Sequence, residues 1–391
     1  MVIKILSVDD EPDMEMLITQ RFRRQIRDKS FEFIFASNGQ EALDKLDAHD
    51  DISLILSDIN MPEMDGLTFL THLNDRKKPF VKAVMVSAFN DMDNIRTAMN
   101  RGAFDFVTKP ISFEDLEVTL NRTIDHVSML VLAQREHDQL LAIQNDLDIA
   151  QEIQQAMLPK VFPPFPNRTD FDLHAMLKAA KMVGGDLFDY FLMDEERLFF
   201  LIGDVSDKGV PASLFMAITK AIFKSHFSNK DCGSIQDEVM RINGFLSEEN
   251  YSMMFVTAFL GILNTKTGEV SYIDAGHESP LILRRDNTIE SVPKRGGMAL
   301  CILEDFPYQV QTLQLNPGDT LFTYTDGVPD ANNRAGERFG MARVKALLAA
   351  QTSAVSPKAI TEFAYESVKE FIGTNAQFDD ITILTLRYQG A

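Results

Sequence analysis

Up to about residue 120, short apolar runs alternate with amphipathic stretches. Ile3 to Val8, Phe31 to Ala36, Ile52 to Leu56, Ala83 to Val86 and Phe104 to Val107 read as strands, with helical spacing between them. This rhythm predicts an α/β unit: a five-stranded, doubly wound parallel sheet with helices on both faces and its functional edge at the carboxyl ends of the strands. From Ile111 to Leu158 there is neither Gly nor Pro, whereas Pro110 precedes the run and Pro159, Pro163, Pro164 and Pro166 follow it. A helix of roughly 48 residues, about 70 Å long at ~1.5 Å per residue, is expected there. Leu140, Ile143, Leu147, Ala150 and Met157 repeat at a 3,4 spacing, with His126, Glu136 and Gln154 as weak positions in the same register. A dimerising coiled coil satisfies that pattern, as does a helix packed on its own domain.

Beyond the Pro-rich hinge, strand-like runs recur at Leu198 to Ile202, Phe255 to Leu263, Val270 to Ile273, Leu281 to Leu283, Thr320 to Tyr324 and Ile381 to Arg387. Helical stretches at Ala212 to His226, Met341 to Ala350 and Ser356 to Phe371 interrupt them. The expectation is an α+β domain of antiparallel sheets flanked by helices. The chain divides into 1–122, a helical linker at 123–158, and 159–391.

Composition narrows the choice of partner. The chain has 391 residues, with 38 Lys plus Arg against 58 Asp plus Glu, a formal charge of −20. That surplus repels nucleic-acid phosphates and anionic lipid alike, so neither is an expected partner. No apolar run approaches the eighteen or so residues that span a bilayer, and a cytoplasmic protein is expected. Cys232 and Cys301 are too few for a disulfide framework or a thiolate metal site, and each reads as a small buried hydrophobe. The acids themselves become the candidate chemistry.

Asp9 and Asp10 follow the first predicted strand and Asp58 the third, so a parallel sheet brings three carboxylates to one edge. Their repulsion is relieved by a hard cation such as Mg²⁺, which takes oxygen ligands and keeps several waters. Ser87 and Lys109, at the ends of the fourth and fifth predicted strands, add a hydroxyl and a cation suited to a phosphoryl group. Paired acids after a strand also cap helices, and an aromatic such as Phe106 on a strand is ordinary core, so the reading rests on the whole set.

With Leu56-Ser57-Asp58-Ile59-Asn60-Met61-Pro62 and Lys109-Pro110 added, residues 1 to about 125 resemble the receiver domain of a two-component response regulator, a flavodoxin-like fold. The resemblance implies that Asp58 is phosphorylated by a sensor histidine kinase or a phosphotransfer protein. It further implies that Asp9, Asp10, Asp58 and the backbone carbonyl of Asn60 hold Mg²⁺. Ser87 and Lys109 would contact the phosphoryl oxygens, Phe106 would be the aromatic switch, and Lys109–Pro110 would be a cis bond.

In the C-terminal part, acids recur beside glycines or at strand ends: Gly184-Gly185-Asp186, Gly203-Asp204-Val205, Asp326-Gly327 and Asp379-Asp380. Glycine allows close backbone approach, and an all-carboxylate set selects Mg²⁺ or Mn²⁺ over zinc. Two such ions about 3.5–4 Å apart activate a water and neutralise a phosphoryl group. From about residue 150 onward the chain resembles the SpoIIE/RsbU-like branch of the metal-dependent PP2C-type Ser/Thr phosphatases, an antiparallel β-sandwich flanked by helices. The carriers are Val183-Gly184-Gly185-Asp186, Ile202-Gly203-Asp204-Val205-Ser206-Asp207-Lys208-Gly209-Val210-Pro211-Ala212, Tyr324-Thr325-Asp326-Gly327 and Asp379-Asp380-Ile381-Thr382. The resemblance implies that Asp186, Asp204, Asp326, Asp379 and the Val205 carbonyl bind two Mn²⁺ or Mg²⁺ ions, with Asp204 bridging them.

Some positions depart from the family pattern: Asp207 stands where glycine is usual, Gly297-Met298-Ala299-Leu300-Cys301 lacks an expected glycine, and Pro329-Asp330 replaces Thr-Glu. Asp207 reads as a solvated turn residue or an auxiliary metal contact, Asp189 as surface or support, and Asp380 as a support or structural group. His277 reads as a turn or packing residue more readily than as a general acid. Lys178 and Lys181 are cations near the site without a distinguishing feature.

The combined expectation is a response regulator in which phosphorylated Asp58 controls a protein Ser/Thr phosphatase through a helical linker and a homodimer. The resemblance implies a phosphorylated STAS-type anti-sigma-factor antagonist as substrate. The competing reading is a non-catalytic adaptor that binds such a regulator through the phosphatase-like fold; the intact acids favour the enzyme.

Overall fold

The computed structural model describes residues 2–88, 91–229, 233–248, 250–352 and 354–390. It comprises two compact units, Met1–Ile143 and Gln144–Ala391. Cys232 lies outside the described residues, and Cys301 is half-buried.

In the first unit the five predicted strands are β1 (Ile3–Val8), β2 (Phe31–Ala36), β3 (Ile52–Asp58), β4 (Lys82–Ala88) and β5 (Asp105–Lys109). They form one parallel sheet in the order β2-β1-β3-β4-β5. The order reverses between β1 and β3, which opens a crevice beyond the carboxyl ends of those strands. β3 is apolar on both faces because both are covered. Ile55 shares a core cluster with Leu43, Leu46 and Phe69 on one side, and Leu54 and Leu56 share another with Ile18, Leu116 and Leu120 on the other. Helix α1 (Pro12–Arg21) starts with proline, whose missing N–H costs nothing in a first turn. Helix α3 is Gly39–Ala48, and Asn38 caps it through the amide of Glu41; Asp65 likewise caps α4 (Gly66–Asp75) through Thr68.

The long helix α6 spans Phe113–Met157, as the absence of Gly and Pro predicts. α2 (Arg23–Arg27) and α5 (Met92–Asn100) are the remaining helices of the first unit. On α6, Leu116, Leu120 and Val127 are buried in that unit. Leu140 and Ile143 are exposed, whereas Leu147, Ala150, Gln154 and Met157 are half-buried.

The second unit is a sandwich of two antiparallel five-stranded sheets. One has the order β13-β10-β9-β8-β7, built from β7 (Leu187–Leu192), β8 (Arg197–Val205), β9 (Val256–Asn264), β10 (Glu269–Ala275) and β13 (Gln311–Gln314). The other has the order β12-β11-β14-β15-β6, built from β6 (Phe171–Lys178), β11 (Leu281–Leu283), β12 (Ile289–Ser291), β14 (Thr320–Tyr324) and β15 (Ile381–Tyr388). Leu198, Phe200 and Ile202 on β8 face Leu384 and Leu386 across the sandwich, while Phe199 and Leu201 point outward. Those outward side chains pack under α7 (Val210–Phe227) and α8 (Ile235–Glu248). α9 (Gly340–Ala349) and α10 (Pro357–Ile372) cover the second sheet. The fold class is therefore the one the patterning predicts, with β6, β7, β12, β13 and α8 as additional elements.

Candidate functional site

At the crevice of the first unit, the sheet brings Asp9, Asp10 and Asp58 together: one carboxylate oxygen from each lies within 4.8 Å of the others. Among the described residues, no other trio of His, Cys, Asp or Glu is as tight. Lys109, ending β5, sets its Nζ 2.6 Å from Asp58, 3.2 Å from Asp9 and 3.1 Å from Glu11. Burial raises the Asp9 carboxyl above its usual range, against the lowering effects of the Glu11 amide and Lys109. Burial also works against the Lys109 ammonium, but its hydrogen bonds to Asp58 and Glu11 win and push it upward. The trio carries more negative charge than one lysine offsets.

Ser87 is fully buried, and its hydroxyl has no hydrogen-bond partner within the protein. The Asn60 amide donates to Asp58 Oδ1 at 3.3 Å. Phe106 is half-buried and packs on the side covered by α3 and α4. Lys109–Pro110 is cis. Gly66 lies outside the motifs of the sequence. A β-carbon there would lie 2.1 Å from the Asp58 carbonyl oxygen, so glycine lets α4 start directly against the end of β3.

In the second unit the four motif acids come from strand ends and adjoining loops of both sheets. Asp186 precedes β7, Asp204 lies near the end of β8, Asp326 follows β14 and Asp379 precedes β15. Asp186 is buried, and Thr325 and Thr382 donate their hydroxyls to its Oδ2 at 2.8 and 2.5 Å. Burial, then Asp204 and Asp380, hold its carboxyl well above the ordinary range. Asp204 is pushed up to about 7 by burial and then by Asp326, Asp379 and Asp380, although a hydrogen bond with Asp186 acts the other way. Asp326 is pushed up to about 6, by burial first and Asp379 second. Asp186 and Asp204 thus each feel acids that come from the other sheet. The Val205 carbonyl sits against Gly185, where a β-carbon would approach it to 2.8 Å.

The supports around this basin are specific. Asp380 accepts from the amides of Ala180 (2.7 Å), Gly185 (2.8 Å) and Asp186 (3.4 Å), so it ties the Asp186 loop to β15. A β-carbon on Gly184 would lie 2.1 Å from Asp380 Oδ2. Asp189 is buried and pairs with the buried Lys220 of α7. Asp207 is exposed at φ +68°, a turn residue. His277 is buried, 3.0 Å from the Thr257 hydroxyl, and burial pushes it down to about 4, which suits packing and not proton donation at neutral pH.

Lys178 and Lys181 are exposed and make no ion pair with the four acids. Among the described residues the cation that does is Lys208, whose Nζ lies 2.7 Å from Asp379, 2.8 Å from the Phe378 carbonyl and 4.2 Å from the Phe378 ring centre. Its signal was its place inside the Asp207-Lys208-Gly209 turn. Thr325 and Thr382 were legible as neighbours of motif acids, but their hydrogen bonds to Asp186 cross from one sheet to the other.

The donor set is oxygen only, buried at Asp186 and half-buried at Asp204, Asp326 and Asp379, and so fits hard divalent cations. Among the described residues no helix is long and apolar enough to cross a membrane.

Comparison with known proteins identifies a family for each part of the chain. The family model for Stage II sporulation protein E (SpoIIE) matches residues 194–389, and that for the response regulator receiver domain matches residues 5–121. Protein IcfG of Synechocystis sp. is 30% identical over 266 residues, covering 62% of this chain and 41% of that protein. The phosphoserine phosphatase RsbU of Bacillus subtilis is 29% identical over 230 residues, covering 57% of this chain and 66% of RsbU. The chain thus spans less than two thirds of either relative. Among solved structures, the SiaA-PP2C domain of Pseudomonas aeruginosa aligns with a TM-score of 0.55 at 22% identity, over 64% of this chain and 98% of that one, a likeness of fold. The chain belongs to the SpoIIE family, with a PP2C-type phosphatase domain preceded by a response regulator receiver domain.

Proposed function

We propose that this protein is a metal-dependent protein Ser/Thr phosphatase whose activity is set by phosphorylation of Asp58. The observation that carries the reading is the placement of Asp186, Asp204, Asp326 and Asp379 at strand ends and loops of both sheets, a basin where burial first and neighbouring carboxylates next push Asp204 up to about 7. Such a basin is costly without cations and is relieved by them. Asp186, Asp204, Asp326, Asp379 and the Val205 carbonyl would hold two Mn²⁺ or Mg²⁺ ions. When bound, the ions supply an activated water and neutralise the phosphoryl group. The protein's own part is to hold the acids rigidly: Thr325 and Thr382 fix Asp186, and Asp380 fixes its backbone.

In the receiver, Asp58 is the phosphorylation site in this reading, and Asp9, Asp10 and the Asn60 carbonyl complete a Mg²⁺ site. The unpartnered Ser87 hydroxyl and the Lys109 ammonium are available to phosphoryl oxygens. A histidine kinase or phosphotransfer protein would supply the phosphoryl group. Residues 1–122 then act as the receiver, 123–158 as linker and 159–391 as effector. The exposed Leu140, Ile143, Ile149 and Ile153 of α6 support a homodimer through the linker. RsbU is by name a phosphoserine phosphatase, and the substrate class proposed here is a phosphorylated STAS-type anti-sigma-factor antagonist in a partner-switching pathway.

The test is Mn²⁺-dependent release of phosphate from a phosphoserine protein by the full chain, with Asp204→Asn and Asp379→Asn as controls. Activity in the wild type and its loss in both variants is expected. A wild type that binds the phosphoprotein without hydrolysing it at saturating Mn²⁺ would replace the enzyme with the adaptor.

A further inference from the structure

One contact ties the end of α6 to the Asp186 loop. The Gln154 side-chain amide donates from Nε2 to the Gly184 carbonyl at 2.7 Å and accepts from the Gly184 amide at Oε1, 3.1 Å. A single side chain therefore satisfies both backbone groups of Gly184, as a neighbouring β-strand would. Gly184 cannot be replaced by a larger residue without displacing Asp380, whose Oδ2 would lie 2.1 Å from a β-carbon there. The next two amides, of Gly185 and Asp186, donate to that same Oδ2 at 2.8 and 3.4 Å. The loop is thus held from one side by the helix and from the other by β15, and it ends on a carboxylate of the proposed metal basin. Gln144 adds a weaker contact between the same helix and the same loop, 2.9 Å from Nε2 to Met182 Sδ.

The helical register explains why this residue reaches the loop. Leu147, Gln151, Gln154 and Leu158 lie three or four apart and are all half-buried. In the 3,4 repeat Gln154 is a weak polar position; against its own domain it is the one with a backbone to pair. A small rotation or slide of α6 would break two hydrogen bonds whose directions are set by the planar amide, whereas an apolar contact would tolerate it.

We propose that Gln154 is a positioning residue that couples movement of α6 to the Gly184–Asp186 loop, so that the linker controls how well Asp186 is presented to metal. This rests on the reading of the site as a metal-dependent phosphatase under receiver control. Its test therefore includes a readout that needs neither metal nor turnover.

In the full chain without metal, Gln154→Ala is expected to speed hydrogen exchange of the Gly184 and Gly185 amides at least about tenfold, with exchange in β8 and β9 unchanged. Calorimetric titration with Mn²⁺ alone should show binding weakened about tenfold, the scale of one or two lost net hydrogen bonds. In the phosphatase assay, the ratio of rates with and without a small-molecule phosphodonor should fall toward one. Gln154→Glu, which keeps size and helix propensity but loses the donor to the Gly184 carbonyl, should reproduce these effects. Unchanged exchange at Gly184 in both variants overturns the coupling outright. Faster exchange with Mn²⁺ affinity and phosphodonor ratio both as in an active wild type overturns it as well, since the contact would then be structural only. A wild type inactive under all conditions, with exchange at Gly184 still dependent on Gln154, counts against the phosphatase reading and leaves the contact standing.

Discussion

Replacing Asp204 with asparagine should stabilise the metal-free protein while removing its response to metal. In the folded chain the Asp204 carboxyl is raised from 3.8 to about 7, by burial first and Asp326 next. A raised acid holds its proton in the folded state after the unfolded chain has released it. Stability is therefore lost as pH rises from about 4 to about 7, and the full penalty is present above that. Three pKa units correspond to about 4 kcal/mol at ~1.4 kcal/mol each. Asp204→Asn keeps the shape and removes the charge. At pH 8 in a chelator the variant should therefore melt about 8–16 °C above the wild type in the C-terminal unit, at roughly 2–4 °C per kcal/mol. At pH 4 the difference should vanish. Mn²⁺ at a hundredfold excess over its dissociation constant should add about 2.7 kcal/mol to the wild type and little to the variant. The chain has no Trp, so circular dichroism is the suitable probe. If Asp204→Asn is the less stable protein at pH 8 without metal, the argument from the buried and crowded charge fails.

Three further outcomes follow from single contacts. Gly66→Ala drives a β-carbon to 2.1 Å from the Asp58 carbonyl oxygen; it should cost the N-terminal unit about 1–3 kcal/mol in urea titration and slow labelling by a phosphodonor. Lys220→Ala leaves the buried Asp189 without its cation, an expected loss of about 3–5 kcal/mol, whereas the apolar pair Asp189→Leu with Lys220→Met should recover most of it. Lys208→Met frees Asp379 from the ammonium 2.7 Å away. Because Lys208 is about a third exposed, only about a two- to fivefold tightening of Mn²⁺ binding is expected in calorimetry.

The parts of this protein that were legible in the sequence are those whose signal is local. The parallel strands announce themselves as runs such as Ile3–Val8 because both faces of the sheet are covered, and Asp9, Asp58 and Lys109 stand at the ends of those runs. The four motif acids of the second unit sit in glycine-containing or strand-end motifs. α8 was missed although Ile235, Val239, Ile242 and Leu246 carry its periodicity, which a short helix with Gly244 inside does not advertise. β7 was missed because Asp189 and Tyr190 interrupt its apolar character; the buried Asp189 is paired by Lys220 arriving from α7, while Tyr190 packs in the core between the sheets. Gln154 looked like a flaw in a coiled-coil stripe; its partner, Gly184, is reached only when the chain folds back from β6. Lys208 stands inside its motif, but its pairing with Asp379 joins loops far apart in the chain.

The central claim is that one phosphoryl group on Asp58 governs the C-terminal basin. The most direct measurement is the initial rate of phosphoserine hydrolysis at saturating Mn²⁺, with and without a small-molecule phosphodonor, for the wild type and Asp58→Ala. The account predicts a rate change of at least about tenfold in the wild type, equivalent to ~1.4 kcal/mol of coupling, and none in the variant. Equal rates with and without the phosphodonor in a wild type verified to carry phosphate on Asp58 would contradict it.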